Sequence, residues 1–253
     1  MSWAQQRKAT YMLSFLSILI VTFLIIAYVF FNKAPTCFDG IKNQGEAGID
    51  CGGPCSILCK AGYVNPKILW TAKSKVLASG TYNILVYAEN PNIDAGVYSA
   101  GYSLKLYDQS GNLLSEKLGT TYIPPNNRFA IFVDGINIYD KVPARIDFSF
   151  ADSLVWQKIA DNESGINTFS KDLQNVDTKP KFLVTVQNTT LNQFKNIEAI
   201  AILYDKNNNA VAFSKTKLDV LDKNSTADIV FTWPEAFSNP IITEDVVYKV
   251  LPN

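Results

Sequence analysis

Two patterns of hydrophobic residues divide the 253-residue chain into an N-terminal and a C-terminal part. Residues 11–31 are uncharged and almost continuously apolar, whereas apolar and polar residues alternate along many short segments of residues 65–253. A continuous apolar run is typical of a membrane-spanning helix, and a period of two is typical of β-strands with one buried face. The pattern therefore predicts a mainly β protein with a single N-terminal transmembrane helix.

The apolar run of residues 11–31 has the length that a bilayer requires. As an α-helix it would extend over about 30 Å, which is the thickness of the hydrocarbon core. A cleaved signal peptide is the alternative, but its apolar region is shorter, about 7 to 15 residues, and ends at a small-x-small site. The sequence Ala34-Pro35-Thr36 is a poor match to such a site. We therefore predict an uncleaved anchor that contacts the lipid bilayer through residues 11–31.

Charge and chain length predict the orientation of this anchor. Arg7 and Lys8 precede the apolar run, and Lys33 and Lys42 follow it, which gives a small positive-inside bias. Residues 1–10 are too few to fold, so the folded regions all lie C-terminal to the helix. Clustered cysteines favour an oxidising compartment for that side. We expect a single-pass cell-membrane protein with a cytoplasmic tail of residues 1–10 and extracytoplasmic C-terminal domains.

The cysteines lie together just after the anchor, in a predicted stalk of residues 32–64. An even number of clustered extracytoplasmic cysteines predicts two disulfides, with three possible pairings. A tetrahedral zinc site is the alternative, but the spacing lacks the two Cys-x-x-Cys knuckles of a zinc ribbon. The four residues are Cys37, Cys51, Cys55 and Cys59.

The loop between the first two cysteines is rich in oxygen-bearing side chains and glycines. Carboxylate and amide oxygens on a loop that can curl are suitable calcium ligands, although the spacing is not that of an EF-hand. A polar turn without an ion is the alternative. The candidate calcium ligands, and the only cofactor site that the sequence indicates, are Asp39, Asn43, Glu46 and Asp50. Together with the Asp50-Cys51-Gly52-Gly53-x-Cys55 run, this segment resembles a short cysteine-rich motif of bacterial surface and secreted proteins, which implies location and not activity.

The remaining chain contains an internal repeat with an offset of 97 to 98 residues. Residues 84–90 match residues 182–188, and residues 102–108 match residues 199–205. Each copy has roughly seven short strands separated by turn residues, which is typical of an immunoglobulin-like β-sandwich. We predict two tandem sandwiches, one at residues 65–158 and the other at residues 159–253.

Each copy contains Leu-Tyr-Asp at the end of its third strand, ending in Tyr107-Asp108 and in Tyr204-Asp205. This pattern resembles the FxLYD family of immunoglobulin-like extracellular domains, although Leu104 and Ile200 replace the leading phenylalanine. The resemblance implies a surface module without a known reaction. We expect both tyrosines to close the end of a sandwich with their hydroxyls bonded to backbone.

Composition limits the function. The chain has no histidine and equal numbers of basic and acidic residues, 23 each, which disfavours both an enzyme and a nucleic-acid partner. A carboxylate-based enzyme would need two acids about 5 to 10 Å apart in a cleft. We expect a non-catalytic protein that presents its sandwiches to an extracytoplasmic protein partner or envelope assembly. The alternative is a glycan or cell-wall binding module, which needs a row of exposed aromatic side chains.

Overall fold

The computed structural model describes residues 3–31, 35–77, 80–160 and 164–252, and Lys33 lies outside these ranges. The fold is mainly β, as predicted, with one N-terminal apolar helix and a small disulfide-bonded segment. The helix α1 spans Trp3–Phe31 and a short 3-10 turn spans Lys60–Gly62. The strands are β1 Lys67–Leu77, β2 Thr81–Asn90, β3 Ala95–Tyr107, β4 Leu113–Ile123, β5 Asn127–Asn137, β6 Arg145–Phe150, β7 Gln157–Lys158, β8 Ile166–Gln174, β9 Lys181–Asn188, β10 Phe194–Tyr204, β11 Ala210–Leu221, β12 Thr226–Thr232 and β13 Thr243–Val250.

Helix α1 begins at Trp3, eight residues before the start of the predicted anchor, because residues 3–10 contain no glycine or proline to interrupt it. Its segment Gln6–Val29 is long and apolar enough to cross a membrane, and no side chain there is buried by the rest of the protein. A signal sequence would share these two properties. The hydroxyls of Ser14 and Thr22 donate to backbone carbonyls one turn earlier, so they need no water.

The first sandwich consists of two antiparallel sheets, in the orders β1-β2-β5 and β4-β3-β6, with β7 paired to the start of β3. Alternation along β2 sends Ile84 and Val86 into the core between the two sheets. Trp156 also lies in this core, and Trp156 with the three residues that follow it pairs with residues 56–58 and 94–96. The polypeptide from Ser56 onwards therefore belongs to the same compact unit as the strands.

The second sandwich repeats this pairing order in the sheets β12-β9-β8 and β11-β10-β13. Phe182, Val184 and Val186 on β9 point into its core, as the matching residues of β2 do in the first sandwich. Among the described residues each sandwich has six long strands, one fewer than the roughly seven that the turn spacing predicts. The two hairpins β3-β4 and β10-β11 are longer than a typical strand pair and account for much of each sheet.

A third apolar core joins the two sandwiches. It forms between the outer face of sheet β1-β2-β5 and the outer face of sheet β10-β11-β13, and we call it the seam. Its fully buried members are Leu85, Ala130, Ile200, Ile202 and Phe213. In the described part of the chain, the two sandwiches thus share an apolar interface and are not joined only by a linker.

Candidate functional site

Aromatic side chains fill the seam around its aliphatic centre. Trp70 of β1 stacks on Tyr87 of β2, with ring centroids 4.9 Å apart. Phe132 of β5 meets Phe213 of β11 edge to face across the seam, at 6.0 Å between centroids. Such pairs add to the stabilisation that comes from area burial alone, by about 0.5 to 1.5 kcal/mol each. The seam is therefore packed like a domain core.

A buried ion pair lies within the seam. The Lys249 ammonium, on β13 of the second sandwich, lies 2.8 Å from Glu198 of β10 and is only 4% exposed as a residue. The same ammonium donates to the backbone carbonyl of Ala130, on β5 of the first sandwich, at 3.3 Å. Desolvation largely offsets the attraction of such a pair, but an unpaired charge at this site would be costly. The pair therefore favours one arrangement of the two sandwiches over others.

The outer face of sheet β4-β3-β6 is polar, in contrast to the seam. Lys105 and Glu116 form an ion pair at 3.5 Å between neighbouring strands, and Arg145 and Asp147 form another at 3.2 Å. These charges are about half exposed, so each pair contributes little to stability. The outer face of the other terminal sheet, β12-β9-β8, carries a hydrogen bond between Thr185 and Asp228.

The two tyrosines of the Leu-Tyr-Asp pattern point away from the sandwich cores, which differs from the expected position at the end of a core. Tyr204 packs against the seam, where burial, with a smaller effect from the Asp245 carboxylate, raises its pKa to about 12. Tyr107 lies on the polar outer face, and the Arg145 guanidinium lies 4.3 Å above its ring. The same residue in the pattern thus has two different environments.

The two aspartates of the pattern shape the hairpin turns that follow. Asp108 accepts hydrogen bonds from the backbone amides of Ser110 and Asn112, at 2.9 and 2.8 Å, and from the Asn112 side chain at 3.0 Å. Asp205 makes the same three bonds in the second sandwich. The side-chain and backbone hydrogen bonds from the asparagine lower the pKa of each carboxyl group below its ordinary value. Both aspartates are turn-forming residues.

A buried asparagine in each sandwich was not identified as a site residue from the sequence. The Asn90 side-chain amide donates to the carbonyls of Ala95 and Pro124, at 2.7 and 2.6 Å, and the residue is 1% exposed. Asn188, at the matching position, donates to the carbonyl of Asp222 at 2.9 Å. Each asparagine connects two loops at one end of its sandwich. The clue in the sequence was that both matched segments end in asparagine, at residues 90 and 188.

The three tryptophans of the β-rich region are packing residues and do not form a surface platform. Trp156 is 1% exposed and stacks on Tyr63 at 4.8 Å. Trp233 contacts Phe237, with ring centroids 5.2 Å apart. With Trp70 in the seam, none of these three rings lies free on a sheet face.

Two disulfides form in the cysteine-rich segment, as the sequence predicts. One joins Cys37 to Cys55, and Cys51 and Cys59 are also disulfide-bonded. Disulfide sulfurs are not the thiolates that zinc requires, so the zinc alternative is not supported. Glu46 is buried beside this disulfide, with a carboxylate oxygen 3.2 Å from the Cys55 sulfur.

The structure brings the candidate calcium ligands together, but it satisfies most of their oxygens with N–H donors. Asp50 accepts bonds from the backbone amides of Asp39 and Gly40, at 3.0 to 3.1 Å, and we call this contact the Asp39–Asp50 clamp. Glu46 accepts from the Asp50 amide at 3.1 Å, and the Asn43 side chain donates to Asp39 at 3.0 Å. Hydrogen bonds from the Thr36 amide and the Asn43 side chain lower the pKa of Asp39.

The side-chain oxygen of Asn43 is buried without a hydrogen-bond partner, so the hydrogen bonds of the loop do not exclude it as a cation ligand. The calcium site therefore stays a prediction. A melting temperature that changes neither on adding calcium nor on adding a chelator would contradict it.

Comparisons with known proteins do not assign the chain to a family. No family model and no curated protein matches it. A transglutaminase from red sea bream is 10% identical, with a TM-score of 0.22 over 73% of this chain and 31% of that chain. A β-glucuronidase from glycoside hydrolase family 2 is also 10% identical, with a TM-score of 0.22 over 88% of this chain and 29% of that one. The chain spans about a third of the length of these proteins, and similarity at this level indicates nothing about activity.

Proposed function

We propose that this protein is a membrane-anchored, extracytoplasmic interaction protein without catalytic activity. Helix α1 holds it in the bilayer, with residues 1–10 in the cytoplasm. The disulfide-bonded segment connects the helix to two FxLYD-like, immunoglobulin-like modules, which are presented to a protein partner or an envelope assembly. The seam is the observation that carries this proposal.

The seam supports a presenting role because it packs the two modules against each other through buried apolar side chains. Domains in one chain move relative to each other unless their interface is large and hydrophobic. Here Ile200, Ile202 and Phe213 are each at most 1% exposed between the modules. A partner that contacts both modules would then bind a preformed surface and lose less conformational entropy on binding.

Site-specific photo-crosslinking from the outer faces tests the proposal. A photoreactive amino acid replaces Leu118, which is 73% exposed on β4, or Val230, on the outer face of β12. The matched control replaces Phe213, which is buried in the seam. After crosslinking in native cells, the protein is purified in mild detergent through a C-terminal tag, and its adducts are identified by mass spectrometry. We expect one protein crosslinked from an outer face and none from position 213. Recovery of the chain alone from both outer-face variants would overturn the proposal.

The orientation is tested with a membrane-impermeant thiol reagent on intact cells. Because all four cysteines are in disulfides, we expect labelling only after reduction by an impermeant reductant. Labelling that requires a broken membrane would place the domains on the cytoplasmic side. The mass of the purified chain decides whether residues 1–31 remain attached.

A glycan or cell-wall binding module is the second candidate, and one observation favours it. A cleft of about 460 Å³ beside the seam is lined by Tyr98, Tyr102 and Tyr122, together with the charged residues Lys117, Lys215, Asp134 and Glu198. Tyrosine rings beside polar and charged groups suit a polysaccharide. The polar outer faces, by contrast, offer no aromatic row among the described strands. Binding of purified cell-wall polymer that Tyr98→Ala weakens about tenfold, and that exposed Tyr139→Ala does not, would favour this candidate.

A further inference from the structure

Three large apolar side chains are exposed in the small segment that follows the helix. Phe38 is 75% exposed, Ile41 is 63% exposed and Ile49 is 62% exposed. Phe38 and Ile41 flank the Asp39 side of the Asp39–Asp50 clamp, and Ile49 directly precedes its Asp50 side. The clamp holds the two parts of the loop together, so the three side chains lie around one small region.

The segment does not need these side chains for its own stability. Its loop is closed by the Cys37–Cys55 disulfide and by carboxylates that accept backbone amides. A segment this small has no hydrophobic core and depends on such covalent and polar links. Exposure of phenylalanine and isoleucine to water is unfavourable by roughly 1.5 kcal/mol or more for each side chain. An apolar surface of this kind in a stable segment indicates that something covers it.

The position of the segment along the chain identifies what covers it. Phe38 is only seven residues after Phe31, the last residue of α1. Even a fully extended chain spans at most about 3.6 Å per residue, so Phe38 lies within roughly 25 Å of the helix end. The interfacial zone outside the hydrocarbon is about 5 to 8 Å thick on each side. The tether therefore keeps all three side chains within reach of the bilayer surface.

The charged groups of the loop are compatible with such a surface. The Asp50 carboxylate accepts the amides of the clamp, and the Asp39 carboxylate accepts from the Ile41 amide. Lys42 is exposed beside Ile41. Lysine and aromatic residues are both suited to the headgroup region, where each apolar part meets lipid and each polar part stays hydrated.

From these observations we infer that the loop of residues 37–55 docks on the outer bilayer surface, with Phe38, Ile41 and Ile49 inserted among the lipid headgroups. This inference rests on the proposed membrane anchor. The partner is the lipid bilayer itself and not a second protein, because only six residues, 32–37, separate Phe38 from the end of the proposed anchor.

Quenching of tryptophan fluorescence by brominated lipids tests the docking. The full chain is reconstituted into phosphatidylcholine nanodiscs in a Trp3→Phe background, which removes the tryptophan on the helix. Phe38→Trp then reports on the loop, and Leu191→Trp, at a residue that is 78% exposed in a loop of the second sandwich, is the matched control. Non-reducing analysis confirms that both variants keep their disulfides.

We expect lipids brominated near the headgroup to quench the added emission of Phe38→Trp at least about twofold more strongly than that of Leu191→Trp. The emission of Phe38→Trp should also shift to shorter wavelength in nanodiscs. Equal quenching of the two variants in discs that contain the intact chain would overturn the docking and leave the anchor in place. A chain that is not retained by the discs would overturn the anchor, and with it the docking.

Discussion

The two sandwiches have the same strand order but opposite surface chemistry at matching positions. In the first sandwich Trp70 pairs with Tyr87 on the outer face of sheet β1-β2-β5, which forms the seam. The matching pair on β8 and β9 is Ser170 with Thr185, and it faces water. The fold therefore does not decide which face is apolar, because the same positions carry aromatic residues in one copy and hydroxyl residues in the other.

In the matching sheets β11-β10-β13 and β4-β3-β6, it is the second sandwich that has the apolar outer face and the first that has the polar one. In the second sandwich Ile202 pairs with Phe213 and both are buried in the seam. In the first sandwich the matching pair is Lys105 with Glu116, an exposed ion pair. Each sandwich thus has one apolar outer face, and the two apolar faces are on non-matching sheets. Non-matching contacts between repeats can propagate into open arrays, and the polar outer faces of these two sandwiches do not offer a further copy an apolar surface.

Among the changes that test this difference between the sandwiches, removal of the central aromatic residue of the seam should destabilise the protein most. Phe213→Ala should lower the free energy of unfolding by about 4 kcal/mol, because it leaves a cavity in a packed interior. Glu116→Ala, at the matching position of the first sandwich, should cost less than about 1 kcal/mol, since it removes only an exposed ion pair. Urea unfolding of the purified chain measures both. Similar losses in the two variants would show that the seam is not packed as a core.

Breaking the buried ion pair should have the next largest effect. Lys249→Met should cost about 3 kcal/mol, because it leaves the Glu198 carboxylate in the seam without its nearest cation. Glu198→Gln in the same chain should restore much of that loss, since no unpaired charge then remains. Lys105→Met on the exposed outer face is the control and should cost less than about 1 kcal/mol. If the double variant is no more stable than Lys249→Met alone, the pair does not act as described.

Substitution of the buried asparagine should lower the free energy of unfolding equally in the two sandwiches. Asn90→Ala and Asn188→Ala should each cost about 2 kcal/mol, because each leaves buried backbone carbonyls without a donor. Urea unfolding measures both variants. A clear difference between them would mean that the two loop connections contribute differently despite their similar geometry.

Substitution of the two turn aspartates should change the stability of the protein least. Their pKa values in the folded protein lie below the ordinary value of 3.8, so their contribution to stability is present above that pH and is lost as the pH falls through the lowered pKa. We expect the unfolding free energy to fall as the pH drops below about 4, and to fall less steeply in Asp108→Asn and Asp205→Asn. Both carboxylates are exposed, so the two changes should be small and similar. A variant with the same pH profile as the unchanged chain would contradict this role.

Local sequence patterns were sufficient for the secondary structure and the disulfides. The uncharged run of residues 11–31 lies within α1, and the alternation of residues 182–188 produces β9. The positions of Asp108 and Asp205 after apolar strands marked the two hairpin turns. These features depend on residues close in sequence, through helix propensity, side-chain alternation and turn hydrogen bonds.

The seam left a trace in the sequence that alternation alone does not explain. Residues 84–88 and residues 199–203 are runs of consecutive apolar residues without a charge, and β2 and β10, which contain them, are buried on both faces along these runs. A continuous apolar run is typical of a strand with two covered faces. The sequence could indicate that something covers the second face, but not that the other sandwich does so.

The sequence by itself determined the helix, the strands, the turns and the oxidation state of the cysteines, since each depends on short-range patterns. Only the tertiary structure decided that sheet β1-β2-β5 packs on sheet β10-β11-β13, that Lys249 is buried across that seam, and that Tyr107 and Tyr204 lie in different environments. Packing between faces depends on which distant surfaces are complementary in shape and polarity. That complementarity arises between residues more than 100 positions apart, such as Ala130 and Lys249, so no local pattern contains it.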